Sequence, residues 1–114
     1  MRNALVLLFL VACAASTRQK TINATLAATD AAAAAFVTWD AQHQIEIAKT
    51  APDRPAAEEK LAAWRKTVDV VEHATIELYR AIAIAAVAND DRSVTAMLKL
   101  AADLAATLKT AGVP

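Results

Sequence analysis

The sequence predicts an all-α fold: a long antiparallel helical hairpin, coiled-coil-like in its packing, with a shorter third helix that completes a three-helix bundle. Three observations support this prediction. The chain is rich in alanine and has one glycine among its 114 residues, a composition that favours helices. Turn-forming residues interrupt it internally at 51–55 and 89–91. Between these turns, apolar residues recur at alternating steps of three and four, which is coiled-coil spacing.

The first helix is predicted from about Gln19 to Thr50. It ends there because Pro52 and Pro55 lack the backbone N–H that a helix interior needs. The positions of its seam, the stripe that faces the partner helix, are Ile22, Leu26, Thr29, Ala33, Phe36, Asp40, His43 and Ile47.

The second helix is predicted to reach about Ala88, with Asp53 as its N-cap and Pro55 in its first turn. Its seam positions are Ala57, Leu61, Trp64, Val68, Val71, Thr75, Leu78, Ile82 and Ala85. When the chain is folded at Pro52, Ile22 lies opposite Ile82, and every later seam position also meets a partner. This matching predicts an antiparallel hairpin with layered packing.

The third helix is predicted from about Arg92 to Thr110, after a capping aspartate and before the stop at Ala111–Gly112. Its seam positions are Val94, Met97, Ala101, Leu104, Leu108 and Ala111. We expect it on the hairpin flank with small side chains, where backbones can approach closely. These small residues are Thr25, Ala32, Thr67, Ala74 and Ala81.

The arms of the hairpin are longer than the third helix. At 1.5 Å per residue they measure roughly 50 Å against about 28 Å. The predicted third helix therefore stops near Val68 and leaves residues 40–64, here called the distal arm, as a bare pair of helices. An uncovered apolar seam is a common sign of a binding partner.

The N-terminal segment has the pattern of an export signal. Arg2 precedes a short apolar run, Ala4 to Ala12, which ends in small residues. The run is shorter than the roughly 20 residues that span a bilayer. The alternative is a buried N-terminal helix, which the polar residues at 18–20 disfavour.

The end of the apolar run, Leu10-Val11-Ala12-Cys13, resembles the bacterial lipoprotein cleavage box at all four positions. This resemblance implies cleavage before Cys13, the only cysteine, a diacylglycerol on its thiol, and often an acylated amine. Such an anchor would be stable, because two or more acyl chains hold a protein on a membrane. The alternative is an ordinary export signal with an incidental cysteine.

The resemblance divides the chain into a signal peptide (1–12), a lipidated tether (13–18) and a helical domain (19–114). Ala14 follows the cysteine, where the family uses aspartate to retain proteins at the inner membrane. In a Gram-negative host it therefore implies the periplasmic face of the outer membrane.

The helical body, in segments 20–26 and 60–65, is loosely similar to small uncharacterised lipoproteins of bacteria and their phages, and this likeness implies no particular activity.

Asp40 and His43 lie one turn apart on the first seam, a spacing that two metal ligands can share. The other histidine, His73, falls at a different level of the hairpin, so we predict no metal site and no cofactor. We expect instead a polar layer, in which Asp40 accepts the indole N–H of Trp64 and His43 steadies it. Such a layer fixes the register of two helices.

Four residues are candidate partner contacts: Trp39, Ile45, Ile47 and Trp64. For both tryptophans the favoured interpretation is internal packing, with Trp39 placed over the end of the third helix near Ala111 or Val113. The alternative is a partner contact, because tryptophan is enriched in binding hot spots. Ile45 lies off the seam and is the strongest candidate.

The sequence therefore favours an anchored interaction or structural module of the cell envelope over an enzyme. Twelve basic and twelve acidic residues give no net charge, and no basic stripe indicates nucleic-acid binding. No nucleophile–base pair or glycine-rich loop indicates catalysis. We expect the distal arm to bind an envelope protein or a second copy of the chain. The alternative is a phage-derived envelope factor that blocks a receptor or assists lysis.

Overall fold

The computed structural model describes the backbone of residues 2–114 and the side chains of residues 16–114. Three helices account for nearly all of it: α1 (Arg2–Thr50), α2 (Arg54–Ala88) and α3 (Asp91–Thr110). The described residues contain no strand. The predicted all-α fold with three packed helices is confirmed.

The start of α1 differs from the prediction. The sequence predicts the helix from about Gln19, but it begins at Arg2, so the predicted tether at 13–18 is helical. The physical reason is that no proline or glycine stands before Pro52, so nothing in the sequence stops the helix from extending toward the N-terminus. The side chain of Cys13 lies outside the described side chains, and its lipidation stays a prediction.

Both interhelical turns are closed by the aspartates that the sequence predicts as caps. Asp53 accepts a hydrogen bond from the backbone N–H of Ala56, and Asp90 accepts one from that of Ser93, each at 2.8 Å. The backbone N–H of Ser93 is also the main reason that the pKa of Asp90 lies below its usual value. These caps satisfy backbone donors that have no partner within their helices.

Replacement of Asp53 by alanine should lower the free energy of unfolding by about 1 kcal/mol, the usual effect of removing an N-cap. Asp53→Asn is the matched control, because asparagine caps helices about as well as aspartate. Urea denaturation followed by circular dichroism measures both variants. Equal losses for alanine and asparagine would show that the side-chain hydrogen bond to Ala56 contributes little.

The seams pack as the heptad spacing predicts. Twelve apolar residues form the buried core, and they come from all three helices. Those of the hairpin are Ile22, Phe36, Ile47, Trp64, Val71, Leu78, Ala81, Ile82 and Ala85, and those of α3 are Val94, Met97 and Leu104. Leu26 is an exception, because it is exposed although it belongs to the predicted seam.

The third helix lies on the flank with small side chains, as predicted. Ala81 is buried there and Ala74 packs against the core. The opposite flank, which carries Asp30 and Tyr79, stays open to solvent beside a groove between α1 and α2. Leu26 is one turn from Asp30 on this open flank, which explains its exposure.

The two ends of the bundle differ. Arg18 joins α1 to the α2–α3 turn, since its guanidinium lies 3.2 Å from Asp91 Oδ1 and donates to Asn89 Oδ1 at 3.3 Å. At the other end α1 and α2 meet at residues 51–53, beyond the end of α3. The predicted anchor point and the distal arm therefore lie at opposite ends of the hairpin.

Candidate interaction surface on the distal arm

A polar layer connects the two helices of the distal arm. The indole Nε1 of Trp64 donates to Asp40 Oδ1 at 2.7 Å, across 24 residues of chain. Gln44 donates to the same oxygen at 2.9 Å. The predicted pairing of Asp40 with Trp64 is confirmed, and it fixes the register of the hairpin at this point.

His43 lies between two tryptophan rings. Its ring centroid is 4.1 Å from that of Trp64, in a tilted arrangement, and 5.5 Å from that of Trp39, in a stacked one. No hydrogen bond joins His43 to Asp40 in the described part of the chain. The sequence predicts that His43 steadies the polar layer. In the structure it does so through ring contact with Trp64.

Trp39 packs at the edge of the core, as do Ala111 and Val113. This position supports the internal-packing interpretation of Trp39. Its indole Nε1 is the one buried side-chain polar atom without a hydrogen-bond partner among residues 16–114. A buried donor without a partner destabilises the folded state, and nothing in the sequence indicated it.

The chain after α3 helps to cover the start of the distal arm. Gly112 adopts a left-handed conformation with φ of 82°, and the backbone N–H of Val113 donates to Leu108 O at 3.0 Å. This geometry terminates the helix as a Schellman motif does. Thr110 and Ala111 line a cavity together with Trp64, so the end of α3 lies near the first layer of the distal arm.

Of the predicted partner contacts, only Ile45 lies clearly on the surface. Its exposed fraction is 55%, and it is not part of the core or of the apolar residues packed against it. Ile47 and Trp64 are buried in the hairpin, which for Trp64 agrees with the favoured interpretation of internal packing and leaves neither side chain exposed to a partner. Both residues stand on the seam, where the facing helix covers them.

A contact on the open flank went unrecognised in the sequence. The phenol of Tyr79 donates a short hydrogen bond to Asp30 Oδ1. This bond, followed by burial and by the negative charge of Asp30, raises the pKa of Tyr79. The sequence indicated only that both residues belong to the same polar flank, because the register sets Asp30 opposite Ala74, more than one helical turn from Tyr79.

The described residues contain no group of three or more His, Cys, Asp or Glu side chains that could hold a metal ion. Across the same residues, no helix combines the length and apolarity needed to cross a membrane. The distal arm combines the ring contacts of His43 with Trp39 and Trp64 and an exposed Ile45 on the same helix as His43.

No protein-family model, no curated protein and no solved structure matches this chain.

Proposed function

We propose that this protein is a lipid-anchored helical module of the cell envelope that acts by binding protein. Cys13 carries the lipid, and in a Gram-negative cell the anchor lies at the periplasmic face of the outer membrane. The distal arm contacts an envelope protein or a second copy of the chain through Ile45. The protein is not an enzyme in this proposal, and it uses no cofactor.

The observation that carries the proposal is the exposed Ile45 at the end of the hairpin opposite Arg18. The contacts of Arg18 hold the start of the bundle at the α2–α3 turn, and Cys13 stands five residues earlier in the sequence. Ile45 lies 27 residues beyond Arg18 on the same helix, which is about 40 Å. An anchor at one end therefore holds the contact residue away from the membrane surface.

The anchor is tested by metabolic labelling with an alkyne fatty acid. We expect the wild-type chain to take up the label and to be shortened, whereas Cys13→Ser should remain unlabelled and unprocessed. The reason is that Cys13 supplies the only thiol in the chain. Equal labelling of wild type and variant, or no labelling of either, would contradict the lipid anchor without bearing on the distal arm.

The contact is tested by placing a photo-crosslinking amino acid at position 45 of the full chain in the intact envelope. We expect a specific product, which mass spectrometry would identify as a dimer of this chain or as a complex with another envelope protein. The same amino acid at Val70, which is 58% exposed but lies on α2 away from the distal tip, is the matched control.

A dimer linked through position 45 would assign a self-associating, structural role. A complex with another protein would identify the partner. Absence of a product at 45, or the same products at 45 and 70, would contradict the distal arm as the binding surface.

A further inference from the structure

A groove runs along the open flank of the hairpin, on the side that α3 does not cover. It has a volume of about 260 Å³, and its lining includes Phe36, Val37, Ile76 and Thr75. Val37 is 68% exposed and Ile76 is 51% exposed, one on each side of the groove. An apolar strip between two antiparallel helices is the position that a further helix occupies in a four-helix bundle.

Carboxylates border this apolar strip. Asp40 and Glu72 line the groove, and Asp30 reaches its edge through the hydrogen bond from Tyr79. The ion pairs found among residues 16–114 are Arg18–Asp91, Arg54–Glu58 and Arg80–Glu77, so none of the three carboxylates is paired with a cation.

The donors that these carboxylates do have are neutral. Asp40 accepts from the side chains of Trp64 and Gln44, and Asp30 accepts from the Tyr79 phenol. No lysine or arginine is among the residues that line the groove. The groove therefore keeps an excess of negative charge beside its apolar strip.

This charge decides between two kinds of occupant. A second copy that docked through the same face would bring two sets of the three carboxylates together, because a two-fold interface places each surface against itself. Like charges that face each other across an interface disfavour association. A helix that carries positive charge beside an apolar stripe would instead match both the strip and its borders.

We propose that this groove binds an amphipathic helix of a partner protein. Leucine-like side chains of that helix pack against Val37 and Ile76, and its lysine or arginine side chains face Asp30 and Glu72. This is the helix-in-groove mode of recognition. The proposal rests on the proposed function only in that the chain binds protein. It uses a different surface from Ile45 and does not depend on the lipid.

The test uses the purified full chain in an uncharged detergent and a fluorescent synthetic helix as the probe. The probe has leucines at positions i, i+3, i+4 and i+7 flanked by lysines, and a second peptide has glutamate in place of every lysine. Fluorescence anisotropy measures binding, with protein-free micelles as the blank. We expect the lysine peptide to bind at least about tenfold more tightly than the glutamate peptide, a difference that added salt reduces.

Variants locate the site. Ile76→Gln and the pair Asp30→Asn with Glu72→Gln should each weaken binding of the lysine peptide about tenfold. Val70→Gln, at an equally exposed valine outside the groove, should leave it unchanged. Circular dichroism checks that all variants keep their helix content.

The proposal is overturned if the lysine peptide does not bind, if the glutamate peptide binds equally well, or if Ile76→Gln and Val70→Gln behave alike. A loss at Ile76 together with normal crosslinking from position 45 would show two separate binding surfaces. If the peptide does not bind but crosslinking from position 45 is normal, the groove is rejected as a binding site and the proposed function is unaffected.

Discussion

Leu78→Ala is expected to lower the free energy of unfolding by about 2–5 kcal/mol, the range for a large-to-small change in a packed core. Leu78 is 1% exposed and belongs to the core shared by all three helices. Because the core draws on three helices, none of them can close the resulting cavity without disturbing its packing on the other two. A domain of this size has only about 5–15 kcal/mol of net stability, so the variant is expected to be severely destabilised.

Urea denaturation of the full chain, followed by circular dichroism, measures this effect. Leu98→Ala is the matched control, because Leu98 is exposed on α3 and its truncation should change stability by about 0.5 kcal/mol or less. Similar losses for the two variants would mean that Leu78 is not the packing centre that its burial indicates.

Asp40→Ala is expected to lower the free energy of unfolding by about 1–3 kcal/mol, because it leaves the indole N–H of Trp64 buried without an acceptor. Trp64 is itself part of the core, so solvent cannot easily replace the lost carboxylate. Asp40→Asn keeps an acceptor oxygen at the same position and should cost less. Chemical denaturation monitored by tryptophan fluorescence measures both variants.

A double-mutant cycle separates the hydrogen bond from the packing of the two side chains. Trp64→Phe removes the donor and keeps an aromatic ring. We expect the combined variant Asp40→Ala with Trp64→Phe to be more stable than the sum of the single effects predicts, by about 0.5–3 kcal/mol. Strict additivity would show that the polar layer does not couple the two helices.

The register of the hairpin could be predicted from the sequence because two kinds of information agree. The prolines at 52 and 55 fix where the chain reverses, and the heptad spacing fixes which residues face inward. Together they assign each seam residue of the first helix to one residue of the second, and this assignment predicted the contact between Asp40 and Trp64. The side of the hairpin that α3 covers followed from the size of the flanking residues.

Other features could not be read from the same pattern. A seam shows which residues face the partner helix but not how far a neighbouring helix or the chain after it covers them. For this reason the spacing did not reveal that Leu26 is exposed. The unpartnered indole of Trp39 depends on its rotamer, which no spacing determines.

The proposed site was only partly predictable for a similar reason. The sequence identified Ile45 as off the seam, and the structure places it on the surface. The acidic groove beside Val37 and Ile76 was not recognised, because its residues come from both arms and meet only once the register is known. The lipid on Cys13 is a chemical modification, and it stays a prediction until fatty-acid labelling tests it.

The short turns of this bundle have a consequence for how it folds. Each helix packs mainly on the one next to it in sequence, and three residues or fewer connect successive helices. Chains with such local contacts fold on the microsecond to millisecond scale, since no long loop must close first. If the chain is exported as proposed, it can recover its structure soon after it emerges from a membrane, which shortens the time during which its apolar seams are exposed to aggregation.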